Sequence, residues 1–285
     1  MVLDYKKYNQ RVFECMSMYL NYAPHFINGE LYKNTGGDEL AFSALLSAAC
    51  MLDTVNDPDD KLLYRKYFIP MVHKLDPADF ENDPYYKTVS FEEKQLGLWR
   101  LTHMTCKAYE AFVCGDPDIL PDGRILPRIG YFERDFEYPA VLEDGREWMT
   151  LLPNETITIK PHVVNSFGKV LTFGLGLGYF ALSAAAKDSV SSVTVVERDE
   201  NVIKLFSDVI LPRFSCKDKI KMIKADAFEY AEQNYAKHLY DFVFADIWHD
   251  PSDGVGLYLK MIEYEKLCPN CKYEYWIEDT LKLYI

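Results

Sequence analysis

Three glycines directly follow a short apolar run in the second half of the chain. The run 170–173 reads Val-Leu-Thr-Phe, and Gly174, Gly176 and Gly178 alternate with two leucines after it. Glycine lets a strand turn sharply into a helix, and it lets a ligand approach the backbone because no Cβ is in the way. A dinucleotide fingerprint requires a glycine at position 179, where this chain has Tyr179. The loop therefore predicts a nucleotide-type ligand other than NAD or FAD.

Acidic residues stand at the ends of the next apolar runs. Glu197 ends the second run, Asp226 and Ala227 follow the third, and Asp246 follows the fourth. A carboxylate at the tip of a second strand can accept hydrogen bonds from both hydroxyls of a ribose. Asp226 would accept from an adenine amino group while the backbone N–H of Ala227 meets a ring nitrogen; Asp226 is equally suited to cap the next helix. Since ligands of open parallel sheets lie beyond the carboxyl ends of the strands, we expect these residues and the glycines to line one crevice.

The segment after the fourth run concentrates side chains that can move a proton or face a cation. It contains Asp246, Trp248, His249, Asp250 and Asp253. Asp246 or His249 is a candidate catalytic base, and an indole face such as that of Trp248 attracts an ammonium group. The structural alternative places Trp248 in the core and His249 in a solvated loop. The three carboxylates predict a small acceptor molecule, neutral or cationic.

The elements that must position these residues alternate between strand and helix. Strands are predicted at 170–173, 192–196, 219–223, 241–245 and 273–277, and helices at 179–187, 200–210, 228–235 and 254–265. This alternation predicts right-handed crossovers and a parallel sheet. We expect an α/β Rossmann-like domain with strand order 3-2-1-4-5.

The chain before residue 153 lacks this alternation of strands and helices. Residues 1–120 are predicted to form a helical N-terminal domain, residues 121–152 a β-hairpin connector, and residues 153–285 the Rossmann-like domain. The helices of the first domain are expected at 5–22, 40–52, 62–75 and 96–112. Asp144-Gly145 is a tight-turn signal for the hairpin, and Asn154 is a possible helix cap.

Charge and composition narrow the classes of partner. The net charge is −13, from 31 Lys and Arg against 44 Asp and Glu. Such a surface repels phosphate backbones and anionic lipids, so nucleic acid and membrane partners are not expected. No apolar run approaches a membrane span, and the start has no signal-peptide pattern. The oligomeric state stays open.

The cysteines do not predict a metal site. Seven cysteines without a disulfide-like rhythm are typical of free thiols in a reducing cytoplasm. Cys268 and Cys271 form one Cys-x-x-Cys pair, which is half of a zinc site, and no second pair accompanies it. A turn between a helix and a strand is the expected structure there, and no metal is predicted.

The run from Val170 to Asp253 resembles class I S-adenosylmethionine-dependent methyltransferases, and more closely spermidine-synthase-like proteins, which share that fold. The resemblance implies S-adenosylmethionine as cofactor, with the residues named above in the cofactor motifs: Gly174, Gly176, Gly178, Glu197, Asp226, Ala227 and Asp246. Two features depart from spermidine synthases. Their loop is usually Gly-Gly-Gly-Asp-Gly-Gly, and their Asp-x-x-Asp element is matched only approximately by Asp250-Pro-Ser-Asp253.

Three functions remain open at this stage. The first is an S-adenosylmethionine-dependent methyltransferase acting on a small molecule, with Asp246 and His249 as catalytic candidates. The second is aminopropyl transfer to a diamine. The third is a non-catalytic cofactor-binding protein, which the short predicted sheet suggests.

Overall fold

The computed structural model describes residues 5–237 and 239–285, and the chain divides into two compact units. One unit comprises the chain up to Phe80 together with Thr105–Glu137, and the other comprises Glu81–Met104 together with Tyr138–Ile285. The second unit holds all the residues with predicted chemistry. It also includes residues 81–104, which the sequence patterns had placed in the helical N-terminal domain.

The helices are α1 Lys6–Tyr22, α2 Gly29–Thr35, α3 Glu39–Ala49, α4 Pro58–Leu63, α5 Ile69–Met71, α6 Pro77–Glu81, α7 Pro84–Thr88, α8 Pro153–Asn165, α9 Tyr179–Ala185, α10 Glu200–Leu205, α11 Ala227–Asn234, α12 Pro251–Ile262 and α13 Glu278–Lys282. The strands are β1 Val72–Lys74, β2 Lys94–Leu96, β3 Trp99–Cys106, β4 Phe112–Val113, β5 Asp118–Ile119, β6 Ile125–Leu126, β7 Ile129–Tyr131, β8 Phe136–Glu143, β9 Arg146–Thr150, β10 Gly168–Phe173, β11 Val190–Glu197, β12 Ile220–Lys224, β13 Phe242–Ala245 and β14 Lys272–Tyr275. Short π-helical segments, Tyr64–Phe68 and Phe206–Ile210, continue α4 and α10.

The first unit packs helices around a small sheet of order β1-β7-β4. The helix predicted at 5–22 is confirmed as α1, in which Tyr8, Val12, Met16 and Tyr19 are buried at three- and four-residue spacing. The helix predicted at 40–52 is confirmed as α3. The one predicted at 62–75 is only partly right, because the chain leaves the helical conformation after Met71 and enters β1.

The helix predicted at 96–112 is wrong. Gly97, with φ +62°, interrupts the run, and Trp99–Cys106 is strand β3. Trp99 and Leu101 are buried while Arg100 between them is exposed, which is the alternation of a strand. Pairing in an antiparallel sheet of order β2-β3-β8-β9 outweighs the apolar spacing that indicated a helix.

The predicted hairpin is present as β8 and β9. Asp144 and Gly145 form its turn, with φ of +50° and +78°. The helix after it begins with Pro153 at its first position and has Leu152 as its N-cap. The suggestion that Asn154 caps this helix is therefore wrong, because the chain uses the fixed φ of proline to start it.

The five-stranded sheet of the second unit has the order β12-β11-β10-β13-β14, and its neighbouring strands are parallel. This is the predicted order 3-2-1-4-5, so the Rossmann-like fold is confirmed. The central strands are continuous apolar runs, as expected for strands covered on both faces. Helix α9, which follows the glycine loop, packs its alanines and Leu182 in the core.

Among the described residues, no helix is both long and apolar enough to cross a membrane.

Candidate functional site

A cavity of about 290 Å³ opens at the carboxyl ends of the parallel strands. Four segments that follow strands β10 to β13 contribute to it, and so do strand β9 and helix α8. Its lining consists of Glu147, Trp148, Met149, Thr150, Glu155, Gly174, Leu175, Gly176, Val196, Glu197, Arg198, Ala225, Asp226, Ala227, Phe228, Asp246, Ile247, Trp248, His249, Leu257 and Trp276. The sheet therefore brings most of the sequence-predicted site residues to one place, as the topology of open α/β sheets requires.

The glycine loop is fixed by contacts on several sides. A Cβ on Gly174 would lie 1.9 Å from the carbonyl oxygen of Asp246, and one on Gly176 would lie 1.9 Å from Sδ of Met149. The N–H of Leu177 donates to the same sulfur at 3.1 Å, and its carbonyl accepts from the hydroxyl of Tyr85 at 2.5 Å. Positions 174 and 176 thus have no room for a side chain even without a ligand.

Gly178 does not line the cavity. It is the N-cap of α9, and a Cβ there would meet the ring of Phe206 at 2.2 Å. The third glycine thus serves the packing of the loop on α10 and its π-helical continuation. Its assignment to the cofactor remains a prediction without a contact in the cavity.

Glu197 lies at the end of β11 and ties this strand to the loop. Its Oε2 accepts from the N–H of Leu175 at 3.2 Å, and its Oε1 accepts from the N–H of Asp199 at 2.9 Å. Burial raises the pKa of Glu197, although these backbone donors act in the opposite direction. The carboxylate therefore has a fixed position in the cavity wall, with lone pairs left to accept further hydrogen bonds.

Asp226 caps α11, as the sequence allowed. Its Oδ1 accepts from the N–H groups of Phe228 and Glu229 at 2.9 and 3.1 Å. The neighbouring Ala227 lies in the first turn of the helix and lines the cavity with Asp226. Because the cap uses one oxygen, the other oxygen of Asp226 can serve a ligand, so the two roles are compatible.

Asp246 follows β13 and is held by its backbone, whose N–H donates to the carbonyl of Phe173 at 2.9 Å. Burial raises the pKa of its carboxyl to about 7. A second carboxyl, that of Glu155 in the first turn of α8, lines the same cavity. Burial raises the pKa of Glu155 well above its ordinary value, and the charge of Asp246 raises it further. The simultaneous ionisation of Glu155 and Asp246 in this cavity is therefore unfavourable.

The rest of the segment after β13 is largely structural. Asp250 and Asp253 form a capping box at the start of α12 and do not line the cavity. Asp253 also contacts His249 twice. Its Oδ1 accepts from the backbone N–H of His249 at 3.1 Å, and its Oδ2 lies 3.0 Å from Nδ1 of the His249 ring. Of the three predicted carboxylates, only Asp246 therefore reaches the cavity, because the other two fold back onto their own helix.

Aromatic rings form part of the wall. Trp248 is 5% exposed, so the structural alternative for it is largely right, yet its ring still lines the cavity. Its Nε1 has no hydrogen-bond partner among residues 5–237 and 239–285. Trp148 on β9 also lines the cavity, and the guanidinium of Arg198 lies 5.8 Å from the centre of its ring.

Sequence reasoning missed Glu155, Trp148 and Met149. Glu155 sits where an acid normally favours a helix N-terminus, so its residue type gave no sign of a site. The other two belong to the hairpin, whose proximity to the glycine loop is a property of the fold. The available signal was the Asp-Gly turn, which predicted the hairpin but not what it covers.

The cysteine pair forms the predicted turn, with the N–H of Cys271 donating to the carbonyl of Cys268 at 3.1 Å. Burial raises the pKa of Cys271 to about 12, which keeps it a thiol. In the described part of the chain, no group of three or more His, Cys, Asp or Glu side chains is arranged to hold a metal ion.

Comparisons with known proteins concern the fold. No family model matches the chain, and no curated protein matches it in sequence. Among solved structures it is similar to spermidine synthase from Thermotoga maritima, with 19% identity, 64% of this chain and 52% of that chain covered, and a TM-score of 0.35. It is also similar to a spermidine synthase in complex with the transition state analogue AdoDATO, with 21% identity, 64% and 54% covered, and a TM-score of 0.38. The match thus spans about half the length of these structures. By its own strand order, the second unit has a Rossmann-like fold with a parallel sheet and a glycine loop after the first strand of that sheet.

Proposed function

We propose that this chain binds S-adenosylmethionine or a close relative in the cavity and transfers an alkyl group, most simply methyl, to a small neutral or cationic acceptor. One observation carries the proposal. Glu197, Asp226 and Asp246, at the ends of three strands, line a single cavity together with Gly174 and Gly176 of the first loop. That arrangement suits a nucleoside with a polar tail better than it suits a dinucleotide.

The residues present fit an adenosyl group. Glu197 has a fixed carboxylate that can accept from two ribose hydroxyls, and Asp226 has an oxygen free of its helix cap for an adenine amino group. Gly174 and Gly176 line the cavity, and Ala227, next to Asp226, contributes to the same wall. When bound, the sulfonium supplies an electrophilic carbon.

Asp246 is the residue we assign to proton removal. An ammonium group becomes a nucleophile only after it loses a proton, a hydroxyl attacks more readily when a base takes its proton, and such a base works best when its pKa lies near the working pH. With a pKa raised to about 7, Asp246 accepts that proton more readily than an ordinary aspartate would. His249 is the second candidate base, although its Nδ1 is engaged with Asp253.

Aminopropyl transfer to an amine is the second candidate function. Its support is the charge of the cavity, whose lining includes Glu147, Glu155, Glu197, Asp226 and Asp246. Among the described residues of this lining, Arg198 is the only Lys or Arg. A wall of this sign favours a cationic acceptor.

Binding and transfer are tested separately. Calorimetry with S-adenosylmethionine, its decarboxylated form and S-adenosylhomocysteine should give saturable binding, whereas NAD should give none. Incubation with methyl-labelled and aminopropyl-labelled donors and a panel of amines, phenols and thiols should then identify the transferred group. If none of the three adenosyl compounds binds, the proposal is wrong. Saturable binding with no transfer to any acceptor favours the non-catalytic alternative.

A further inference from the structure

Glu155 and Asp246 line one cavity from two different elements, the first turn of α8 and the end of β13. Within the described residues, neither carboxyl group has a hydrogen bond or an ion pair; the interaction between them is repulsive. An unpaired buried charge is strongly unfavourable, and a buried group in that situation keeps its proton instead.

We propose that Glu155 and Asp246 act as one carboxyl pair in which Glu155 keeps its proton while Asp246 ionises, so that the pair presents a single negative charge to the acceptor. The proposal uses the cavity of the proposed function and rests on it for the identity of the acceptor. The protonation of Glu155 is a property of the free protein.

The surroundings favour this assignment. Ile247, Leu257 and Trp276 contribute apolar surface near the pair, and the buried Trp248 Nε1 also lacks a partner. The indole N–H of Trp248, a residue of the same wall, is thus a third polar group without a partner among the described residues. Polar groups without partners in a cavity wall are typical of a site that a ligand completes.

Other titratable and charged groups face the cavity from each neighbouring element, and they set the sign of the local field. These are Glu147 on β9, Glu197 and Arg198 after β11, Asp226 before α11, and His249 after β13. Arg198 lies against the ring of Trp148, and neither Glu155 nor Asp246 is paired with it. The acids outnumber the cations, which makes a second ionisation of the pair still less favourable.

The pair has a defined role in proton balance. An acceptor that enters as an ammonium ion carries one positive charge, which the single negative charge of the pair matches. The N–H proton then passes to Asp246, leaving a neutral amine with its lone pair and a fully protonated pair. After the acceptor has reacted, Asp246 returns this proton to water, so one proton is released per turnover.

Infrared spectroscopy of the full-length protein, free of any ligand, tests the pair directly. At pH 8 the wild type should show a carboxylic acid C=O band, which shifts when glutamate is isotopically labelled. Glu155→Gln should lose that band, whereas Glu147→Gln, a change at an exposed residue of the same lining, should retain it. A wild type without the band, or a Glu155→Gln variant that keeps it, overturns the proposal.

Glu155→Gln and Asp246→Asn should also differ in how far each one shifts the pH at which the remaining carboxyl group ionises. Because Glu155 is already neutral, Glu155→Gln should shift the ionisation of Asp246 by less than half a pH unit. Asp246→Asn removes the repelling charge and should shift the loss of the Glu155 band to a lower pH. If Asp246 ionised at a much lower pH in Glu155→Gln than in wild type, Glu155 would carry a charge in the wild type, contrary to the proposal.

These readouts need neither donor nor acceptor. A protonated Glu155 in a protein that binds no adenosyl compound would disprove the proposed function and leave the pair standing. Saturable binding of S-adenosylmethionine without the carboxylic acid band would disprove only the pair.

Discussion

The imidazole of His249 meets the indole of Trp148 edge to face, with ring centroids 4.3 Å apart and an angle of 84° between the planes. The contact joins the segment after β13 to the hairpin strand β9. With Nδ1 engaged by Asp253, the His249 ring is held by two neighbours, one aromatic and one acidic. Both contacts suit a residue that shapes the cavity wall.

The first prediction separates the two candidate bases. We expect His249→Asn to lower the rate of transfer less than tenfold, because the histidine is exposed and already engaged with Asp253. Asp246→Asn should lower it by about 10²–10⁴, the range that general bases contribute. The measurement is kcat with saturating donor and acceptor, accompanied by calorimetry of donor binding, which neither change should abolish. Full turnover in Asp246→Asn would remove Asp246 from the mechanism.

The second prediction concerns the contact between Gly176 and Met149. Gly176→Ala should lower the free energy of unfolding by roughly 2–4 kcal/mol, since it combines a left-handed backbone with a Cβ placed on the sulfur. In a double-mutant cycle, Met149→Ala should relieve the steric part, so the double variant should be less destabilised than the sum of the two single changes.

Gly145→Ala is the matched control for that cycle. Gly145 also has positive φ, at +78°, but a Cβ there would meet nothing within 4 Å. Gly145→Ala should therefore lower the free energy of unfolding only by the cost of the left-handed backbone, about 1–2 kcal/mol. Equal losses for Gly145→Ala and Gly176→Ala, measured by urea denaturation, would mean that Met149 does not constrain the loop.

The sheet order could be predicted from the sequence because each strand and helix of the second unit has its own local signal. Apolar runs, the glycine loop and the acids at the strand ends all agree, and right-handed crossovers leave few ways to connect them. Glu197, Asp226 and Asp246 could be placed together for the same reason, since their positions depend on strand ends alone.

The rest depends on packing between segments that are distant in sequence. Strand β3 has the apolar spacing of a helix and becomes a strand only because β2 and β8 flank it. Glu155 belongs to a helix that precedes the sheet, and Met149 to a hairpin. Their positions in the cavity follow from how these elements dock on the sheet, which no local pattern encodes.

The third prediction tests Glu197 as the ribose ligand. Glu197→Ala should weaken binding of S-adenosylhomocysteine by roughly 1–3 kcal/mol, the range for a charge-assisted hydrogen bond. Glu197→Gln keeps an acceptor oxygen for the N–H of Leu175, so it should preserve the loop and isolate the effect of charge. Glu200→Ala, which removes an exposed acid paired with Lys224, should leave affinity unchanged. Calorimetry that finds equal affinities for all of these variants would exclude Glu197 from the site.

The last prediction concerns the pH dependence of stability. The pKa of Asp246 is about 7 in the folded protein, against an ordinary value near 4 in the unfolded chain. Between these values the folded state holds a proton that the unfolded state has released. The stabilisation of the folded state by the raised pKa of Asp246 is therefore fully present below about pH 4 and is lost as the pH rises through 7. We expect Asp246→Asn, which cannot ionise, to gain stability relative to wild type by roughly 1–3 kcal/mol between pH 5 and pH 8.

Urea denaturation at intervals across that range, in the absence of any ligand, gives the difference between the two proteins at each pH. Taking the difference cancels the titration of groups that both proteins share. Asp218→Asn, a change at an exposed aspartate, controls for the loss of one surface carboxylate. If the Asp246→Asn difference did not change with pH, the Asp246 carboxyl would have an ordinary affinity for protons in the folded protein. Burial would then not prepare it to act as a base near neutral pH.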